Sequence, residues 1–364
     1  MQIITIVMQK YFKIKSSFKD YEIFFVNNIK INGDENNHIV ICDSFFNNVF
    51  NQRNLIYVKA LEKHKSYDYL KIILKQLLKK RVNRNFTIVA IGGGIIQDIA
   101  CYVSSIYMRG LKWIYYPTTL LGMTDSCIGG KSSINLDNFK NTLGTYNPPS
   151  KIFINTNFLK TLKKEDLICG IIEAIKILYV NKSFYKYSSF LKQFTSNKIF
   201  IKKEKIKKLI YLSLLNKKKI IEKDEFDKNE RLKLNFGHTF GHAIESSSNF
   251  KISHGIAVGL GIIFAIKFNK IYFKVSPTKK EILLHQFLIL ILKNFSEMQK
   301  HLKNIKINLF CSALSNDKKS SISYYKFILP AKNGNLYISK VDKKNLDIKK
   351  ISLLIFKNLL KNEI

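Results

Sequence analysis

The chain has few cysteines, and they are not spaced as pairs. Its 364 residues include five of them, Cys42, Cys101, Cys127, Cys169 and Cys311. An odd number of scattered cysteines is typical of reduced thiols in a cytosol and excludes a disulfide framework. Long apolar runs are also lacking, since polar residues interrupt the N-terminus after the first seven or eight positions and the longest run elsewhere, 282–292, contains His285 and Gln286. We therefore expect a cytoplasmic protein without a signal peptide, a membrane span or a membrane partner.

Acidic residues are scarce as well. Lysine and arginine total 61 against 26 aspartates and glutamates, which gives a formal net charge of +35. Such an excess often indicates a polyanionic partner. Here the lysines are distributed along the whole chain, and the abundant Lys, Ile, Asn, Phe and Tyr all have AT-rich codons. Biased composition therefore explains the charge, and we expect no nucleic-acid partner, although small phosphorylated acids would be attracted.

The length and the residue pattern favour two domains. A single core stops growing at about 250–300 residues, and this chain is longer. Up to residue 155, short β-rich runs alternate with helical ones, which indicates a parallel α/β sheet. From 156 to 364 the pattern is mainly helical, and the order of the first 35 residues stays open. The predicted strands are 39–43, 86–91, 111–117 and 151–155, and the predicted helices of this part are 67–81 and 97–107.

Three of the seven histidines lie close together in NFGHTFGHAIESSSNFKISHG. His238 and His242 are four residues apart and would share one face of a helix, and His254 follows. Lone histidines are usually structural, but a catalytic zinc site typically takes three protein ligands, often His and Glu. The spacing therefore leaves two interpretations open, a metal site and structural histidines. It decides neither which two histidines bind nor which carboxylate completes the set.

Two glycine-rich segments suggest anion binding. In IGGGIIQDIA (91–100), a strand ends in three glycines and a helix begins, so backbone N–H groups would face an anion such as a pyrophosphate. The segment departs from G-x-G-x-x-G, and a simple tight turn is the alternative. The segment 117–149 then concentrates donors on irregular backbone, as phosphate and ribose recognition requires.

Together these motifs resemble the 3-dehydroquinate synthase family. The resemblance covers about residues 38 to 330, and its motifs are GGGIIQDIA, YMRG, PTTLLGMTDSCIGGK, FKNTLG, GIIEAIK, EKDEFDKNERLKLNFGHTFGHAIE and SHGIAVGLG. It implies a Rossmann-like NAD-binding α/β domain at 1–155, a mainly α-helical metal and substrate domain at 156–364, and an active site in the cleft between them. The implied enzyme is a phosphate-eliminating carbon–oxygen lyase of the shikimate pathway. It would convert 3-deoxy-D-arabino-heptulosonate 7-phosphate to 3-dehydroquinate and phosphate by transient oxidation, elimination, reduction and intramolecular aldol closure.

The resemblance also implies roles for individual residues. The metal, ordinarily zinc with cobalt as an alternative, would be bound by Glu173, His238 and His254, with His242 as a proton relay beside the substrate phosphate. Arg109 would reach the site of a neighbouring subunit, which implies a homodimer. The implied NAD-binding residues are Ala60, Leu61, Glu62, Lys63, His64, Lys65, Gly93, Gly94, Ile95, Ile96, Gln97, Asp98, Thr118, Thr119, Asp125, Lys131, Lys140, Phe158, Leu159, Lys160 and Thr161. The implied substrate-binding residues are Lys131, Asn141, Lys176, Lys217, Arg231 and Asn235, with Asp317, Lys318 and Lys319.

The chain departs from the family pattern at a few positions. Ile256 stands where the family usually has a glutamate that could support a metal ligand, which puts the orientation of the ligands in question. Gln97 replaces a glycine and would crowd the pyrophosphate turn. Ala60-Leu61 replaces Asp-Gly ahead of Glu62, and Ser133 replaces a small residue. We expect a working but slower enzyme.

Three alternatives remain. Another sugar-phosphate cyclase would keep the NAD and metal residues, but Lys217 and Arg231 favour a substrate with a carboxylate. A metal-dependent polyol dehydrogenase would lack the crowd of phosphate-binding cations and would release NADH. A basic pseudoenzyme that binds nucleic acid would lack a complete set of metal ligands.

Overall fold

The chain forms two compact units. The computed structural model describes residues 9–27, 37–49, 54–137, 139–196, 202–295, 297–316 and 323–360. The first unit comprises Met1–Leu162 and Ile221–Phe226, and the second comprises Lys163–Ile220 and Asp227–Ile364. The sequence pattern placed the domain boundary after residue 155 and did not predict that the short segment Ile221–Phe226 belongs with the first unit.

The first unit is built on a seven-stranded sheet with the order β1-β2-β9-β6-β5-β3-β4. All neighbouring strands are parallel except β1 and β2, which pair antiparallel. A separate antiparallel hairpin joins β7 and β8. The strands are β1 (Gln9–Ile14), β2 (Tyr21–Phe25), β3 (His38–Asp43), β4 (Leu55–Val58), β5 (Thr87–Gly92), β6 (Lys112–Pro117), β7 (Ile134–Leu136), β8 (Phe139–Leu143) and β9 (Lys151–Ile154).

The predicted α/β architecture is confirmed, because all four predicted strands belong to this sheet as β3, β5, β6 and β9. Their interior positions are buried apolar residues, as expected of strands covered on both faces. The strand order reverses between β3 and β5, and in open parallel sheets ligands bind at the carboxyl ends of the strands beside such a reversal. The β1–β2 hairpin answers the question left open for the N-terminus, within residues 9–27.

Two helices connect the central strands. Helix α1 (Tyr67–Lys79) begins at Ser66, whose side chain accepts a hydrogen bond from the Tyr69 N–H, and it buries one apolar stripe. Helix α2 (Gly94–Ile106) begins immediately after Gly93. The prediction that this helix starts at residue 97 was wrong, because Gly94 is already its first residue and the extended Gly93 is its N-cap. The early start places the helix N-terminus directly at the end of β5.

The second unit is mainly helical, as predicted. Its helices are α3 (Lys164–Val180), α4 (Phe184–Leu191), α5 (Lys203–Ile221), α6 (His238–Ser247), α7 (His254–Tyr272), α8 (Lys279–Leu292), α9 (Met298–Lys303), α10 (Ile307–Ser315) and α11 (Asp347–Leu360). The pattern did not predict the antiparallel hairpin of β10 (Tyr324–Pro330) and β11 (Leu336–Asp342).

Helix α7 is long and strongly apolar. Among the described residues, it is the one helix that could cross a membrane by length and composition, with a mean hydropathy of 1.4 over eighteen residues. However, 78% of that stretch is buried inside the structure, as in the core helix of a folded domain. The prediction that 282–292 is the longest apolar stretch was wrong, because residues 255–266 of α7 contain no polar side chain at all.

Glycines bring α3, α6 and α7 to backbone contact. A Cβ atom added at Gly261 of α7 would lie 2.1 Å from the carbonyl oxygen of Gly237, which precedes α6. A Cβ added at Gly255 of α7 would lie 2.5 Å from the Cα of Cys169 in α3. Side chains larger than hydrogen would force these helices apart, so the glycines set the distances between the three helices.

The segment Ile221–Phe226 is tied to the β1–β2 turn. The Glu225 carboxylate accepts hydrogen bonds from the Ser17 N–H at 2.8 Å and the Ser17 hydroxyl at 2.7 Å. The Glu222 carboxylate accepts one from the Lys15 N–H at 2.7 Å. Residues distant in sequence thereby complete the edge of the first unit.

Candidate active site

Three histidines and a buried glutamate converge in the second unit. One ring nitrogen from each of His238, His242 and His254 lies within 4.8 Å of the other two. Oε1 of Glu173 lies 3.9 Å from Nε2 of His238 and 3.9 Å from Nε2 of His254. The four residues come from α3, α6 and the first residue of α7, the three helices that the glycines bring together.

The chemistry of this donor set fits a divalent metal such as zinc. Two donors that each bind an ion at about 2.0–2.2 Å can be separated by up to about 4 Å, so both 3.9 Å distances leave room for one shared ion. Glu173 is 1% exposed, and a buried carboxylate requires cationic partners. These two residues, His238 and His254, are also the pair that the resemblance selects. The ligand assignment itself remains a prediction.

A second glutamate supports one of these histidines. Nδ1 of His254 lies 3.1 Å from Oε2 of Glu245 in α6. Burial disfavours the charged imidazole of His254, but the hydrogen bond to Glu245 and its charge outweigh this, and the pKa of His254 is raised above 6.5. Histidines that bind metals commonly donate their other N–H to a carboxylate, which fixes the ring and raises its basicity.

This contact bears on the departure at Ile256. Ile256 is fully buried among apolar residues and offers no polar group to the site. The support expected from a glutamate at that position is supplied to His254 by Glu245 from the neighbouring helix. Glu245 was missed at the level of sequence, although a signal was present: it follows His238 by seven residues and His242 by three, and therefore shares their helical face.

The second unit also contains buried cations. Lys176 lies one turn after Glu173 in α3, forms an ion pair with it and is 1% exposed. Lys217 and Arg231 are 6% and 4% exposed. The apolar cluster of Ile177, Ile220 and Leu234 packs α3, α5 and the turn 230–235 together. Each residue of this cluster is within three positions of a predicted substrate-binding residue, and Asn235 follows Leu234 directly, so the cluster holds these residues in one region.

The predicted nucleotide site lies at the end of β5 in the first unit. Gly93 precedes the first residue of α2 with extended backbone, and a Cβ added there would lie 2.9 Å from Cγ2 of Thr119. The N–H of Thr118 donates to the Gly92 carbonyl at 3.0 Å, which fixes the end of β6 beside this turn. Gly94 has open space around it. The first N–H groups of a helix have no partners within the helix, so this turn, exposed at Gly94, fits an anion such as the pyrophosphate of NAD.

Lys65 and Asp98 form an ion pair next to this turn. Lys65 is 7% exposed, and its Nζ lies 3.2 Å from Oδ2 of Asp98 and 2.8 Å from Oδ1 of Asn141. Burial raises the pKa of Asp98 to about 6, with the Lys65 charge acting in the opposite direction. The structure therefore brings two predicted NAD-binding residues together with a predicted substrate-binding residue, Asn141.

Asn135, which the sequence motifs also missed, connects Glu62 to Asn141. Its side chain bonds to Glu62 and to the backbone of Asn141. No local sequence signal marks Asn135, because its contacts depend on the register of the β7–β8 hairpin against the segment after β4.

Gln97 does not crowd the turn that it follows. Its side chain is buried and forms two hydrogen bonds with Ser126: the amide nitrogen donates to the Ser126 carbonyl at 2.7 Å, and the amide oxygen accepts from the Ser126 hydroxyl at 2.6 Å. Ser126 ends the helical turn Gly122–Ser126, which carries Asp125. Gln97 thus anchors the segment that presents Asp125, and the expected crowding by its side chain is a wrong prediction.

Other predicted residues are spread over the first unit. Phe158 lies in the helical turn Thr156–Thr161 and packs its ring on Phe46 at 5.3 Å. His64 lies 4.3 Å from Tyr69, ring to ring, and its Nδ1 lies 2.7 Å from the Lys59 carbonyl oxygen. Lys131 pairs its backbone with Tyr146 and places Nζ 5.9 Å from that ring. Asp317, Lys318 and Lys319 lie outside the described residues.

Comparisons with known proteins agree on one family. The model of the N-terminal region of 3-dehydroquinate synthase matches residues 55–169, and the model of its C-terminal region matches residues 170–320. A 3-dehydroquinate synthase of Dictyoglomus turgidum is 36% identical over 305 residues, which cover 82% of this chain and 82% of that protein.

Solved structures show the same fold. A 2-deoxy-scyllo-inosose synthase in complex with carbaglucose-6-phosphate, NAD+ and Co2+ has a TM-score of 0.77 at 21% identity, with 96% of this chain and 100% of that chain covered. A 2-epi-5-epi-valiolone synthase from Streptomyces hygroscopicus subsp. jinggangensis, with NAD+ and Zn2+ bound, has a TM-score of 0.71 at 20% identity, with 93% and 97% covered. From the matches over both regions of the sequence and the identity to curated relatives, the chain belongs to the 3-dehydroquinate synthase family.

Proposed function

We propose that the chain converts 3-deoxy-D-arabino-heptulosonate 7-phosphate to 3-dehydroquinate and inorganic phosphate, as a phosphate-eliminating carbon–oxygen lyase. The observation that carries this proposal is the convergence of Glu173 on His238 and His254, at 3.9 Å from each, in a chain of this family. We propose that these three residues hold a divalent metal and that the turn at Gly93 and Gly94 holds the pyrophosphate of NAD. When bound, NAD+ would take and return a hydride at C5, and the metal would polarise the C5 oxygen.

The residues of the chain would bind and orient the substrate. Its carboxylate and phosphate are matched by the buried cations Lys176, Lys217 and Arg231, since charge-assisted hydrogen bonds are the strongest that side chains offer to such anions. Asn235 and Asn141 would fix the hydroxyl and phosphate groups. Lys176 also neutralises the charge of Glu173. The carboxylate can therefore stay ionised, and available as a ligand, among the buried apolar residues of the packed helices.

His242 is proposed to hold the proton that moves during phosphate elimination. It sits one turn after His238 on α6, with the two rings 5.4 Å apart. A carbon acid next to a transient ketone loses its proton as the C–O bond to phosphate breaks, and an imidazole or the departing phosphate accepts it. Confinement of the open-chain intermediate by the surrounding cations then favours the intramolecular aldol step through positioning.

We further propose that the enzyme is a homodimer in which Arg109 serves the partner's site. The turn Tyr107–Arg109 holds Met108 and Arg109 at φ values of 52° and 68°, and Gly110 follows at 117°. Non-glycine residues with positive φ are uncommon, and consecutive ones are kept in place by a specific need. Such a turn directs Arg109 outward in a fixed orientation, beside the exposed Ile106 and Met108.

The activity is tested with purified protein, the heptulosonate phosphate and a catalytic amount of NAD. We expect release of inorganic phosphate without net NADH, loss of activity after chelation, and recovery with zinc. Glu173→Gln should abolish turnover, whereas the control Asp166→Asn, at an exposed position on the same helix, should leave it intact. Accumulation of NADH with glycerol would support a polyol dehydrogenase instead, and phosphate release from a hexose phosphate alone would support another cyclase.

The dimer is tested by mixing two inactive variants. Arg109→Ala and Glu173→Gln each damage one contribution, and a mixed dimer assembles one intact site. After subunit exchange, we expect activity to return to about a quarter of the wild-type value, as random pairing of two subunits gives. A monomeric mass in solution, or no recovery, would contradict the shared site.

A further inference from the structure

Asn135 lies where residues with two different predicted ligands meet. It is in β7, and its side chain is buried, with 7% of the residue exposed. On one side are Glu62 and Lys65, the predicted NAD-binding residues, and on the other is Asn141, predicted to bind the substrate. Asn135 itself has not been given a role.

The side chain of Asn135 uses both ends of its amide. Nδ2 donates to Oε1 of Glu62 at 2.9 Å, and Oδ1 accepts from the backbone N–H of Asn141 at 2.8 Å. This orientation is dictated by the partners, because the reversed amide would place N–H against N–H and oxygen against carboxylate. An aspartate, leucine or alanine could not make both contacts.

The backbone of Asn135 joins the same group. Its N–H donates to the Lys65 carbonyl at 2.8 Å, and Asn135 pairs with Ser66 in a short parallel bridge. Nζ of Lys65 in turn donates to Oδ1 of Asn141 at 2.8 Å. Contacts therefore run in a closed ring from Glu62 through Asn135 and Asn141 to Lys65.

Asn141 depends on this ring for its conformation. Its φ is +55°, in the left-handed region where asparagine is tolerated but not preferred. Asn135 fixes its backbone N–H and Lys65 fixes its side chain, so the direction of the Asn141 amide follows the position of the segment Glu62–His64 and of Lys65. A movement at one end of the ring is transmitted to the other through buried hydrogen bonds, which are costly to break singly.

We propose that Asn135 is a positioning residue that couples occupation of the NAD site at Glu62 and Lys65 to the orientation of Asn141 toward the phosphorylated substrate. This inference rests on the proposed function. Binding of the nucleotide orders Glu62 and Lys65, the ring then holds Asn141 in place, and anion affinity rises. By reciprocity, an anion held by Asn141 raises the affinity for NAD+ by the same factor.

The test measures binding without turnover. The dissociation constant of NAD+ is determined by calorimetry with and without saturating inorganic phosphate as the anion probe. For wild type, we expect phosphate to tighten NAD+ binding by at least about 5-fold, the lower end of usual coupling between sites. Asn135→Ala should reduce this factor to about 1, which means no coupling. The control Asn147→Ala removes an amide that bonds Cys101 and Ser104 in the same unit, and it should lower thermal stability while leaving the coupling intact.

Exchanging the donor and acceptor between Asn135 and Glu62 tests whether Asn135 positions Asn141 or only stabilises the β7–β8 hairpin. Asn135→Asp keeps the acceptor for Asn141 but sets a carboxylate against Glu62, so coupling should be lost. Adding Glu62→Gln restores the hydrogen bond with donor and acceptor reversed, and coupling should return in the double variant. Wild-type coupling in Asn135→Ala, or failure of the double variant to exceed Asn135→Asp, would overturn the inference.

The role of Asn135 and the proposed activity can be refuted separately. A wild-type protein that releases phosphate from the heptulosonate phosphate but shows no coupling refutes the role of Asn135 alone. A protein that binds no NAD+ under any condition refutes both.

Discussion

Replacement of Gly255 by alanine should damage the proposed metal site, although it adds only one methyl group. Gly255 follows His254 in the first turn of α7, where the helix touches α3 at the level of Cys169. The new Cβ would lie 2.5 Å from the Cα, 2.6 Å from the Cβ and 2.8 Å from the carbonyl oxygen of Cys169. Real Cβ atoms essentially never approach other heavy atoms within 3.0 Å, and two of these three atoms are backbone. The start of α7 must therefore move away from α3.

The magnitude follows from two opposing effects. Overpacking of a filled core usually costs about 1–3 kcal/mol, and a backbone clash belongs at the upper end. Alanine is a better helix former than glycine by about 1 kcal/mol, which offsets part of the loss. We expect the free energy of unfolding to fall by roughly 2 kcal/mol. Because Glu173 is four residues after Cys169, movement of α7 also pulls His254 away from Glu173, and zinc affinity should fall by at least about 10-fold, as when a ligand loses its support.

Gly259→Ala is the matched control, one turn further along the same helix. Its Cβ would lie 3.0 Å from Cδ1 of Ile172, the flexible end of a side chain that can rotate. Urea unfolding and competition with a chromogenic chelator measure both quantities. We expect Gly259→Ala to keep zinc affinity and to change stability by less than about 1 kcal/mol. If the two variants prove equally stable and bind zinc equally well, the close approach of α7 and α3 does not set the ligand distance.

Three further predictions concern residues near the two sites. Glu245→Ala should lower zinc affinity about 10–100-fold in chelator competition, with Glu245→Gln intermediate, because the support of His254 is lost; unchanged affinity would contradict it. The pKa of Asp98 is raised from 3.8 to about 6, so the folded protein binds the Asp98 proton more tightly than the unfolded chain does. This proton binding stabilises the fold fully below about pH 4, and the stabilisation is lost as the pH rises through 6. Asp98→Asn should therefore exceed the cofactor-free wild type in urea unfolding at pH 7 by up to about 3 kcal/mol, with no difference at pH 4; an equal gap at both pH values would refute the titration. Gln97→Ala should lose both bonds to Ser126 and roughly 1–3 kcal/mol of stability, with faster amide exchange at 122–126.

Local patterns predicted that the three histidines come together, because these residues are close in sequence. His238 and His242 share a helical face by their spacing, and His254 begins the next helix, so only Glu173 required information from outside the segment. Glu245 lies on the same helical face as His238 and His242, so the spacing that groups the two histidines also points to this glutamate. The central strands were also predictable, since buried parallel strands are continuous apolar runs bounded by turn residues.

Features that depend on distant pairing could not be predicted. The role of Asn135 arises from the hairpin register and from a parallel bridge to Ser66, neither of which leaves a local pattern. The size of Gln97 beside a glycine turn suggests that its side chain crowds the pyrophosphate site. Only the structure shows that the side-chain amide of Gln97 is hydrogen-bonded to Ser126 instead. Ile256 suggests a lost carboxylate, whereas the compensating carboxylate belongs to another helix.

The contacts of Glu222 and Glu225 with the β1–β2 turn have a consequence for the order of folding during synthesis. As the chain leaves the ribosome, the strands of the first unit are complete once Ile154 has been made, but the partners of Ser17 and Lys15 emerge only after α3, α4 and α5. The edge hairpin must therefore wait with its turn exposed while a large part of the second unit is translated. Folding of the nascent chain should show a late consolidation of residues 9–25, and a chain truncated after residue 162 should keep the central strands but fray at this edge.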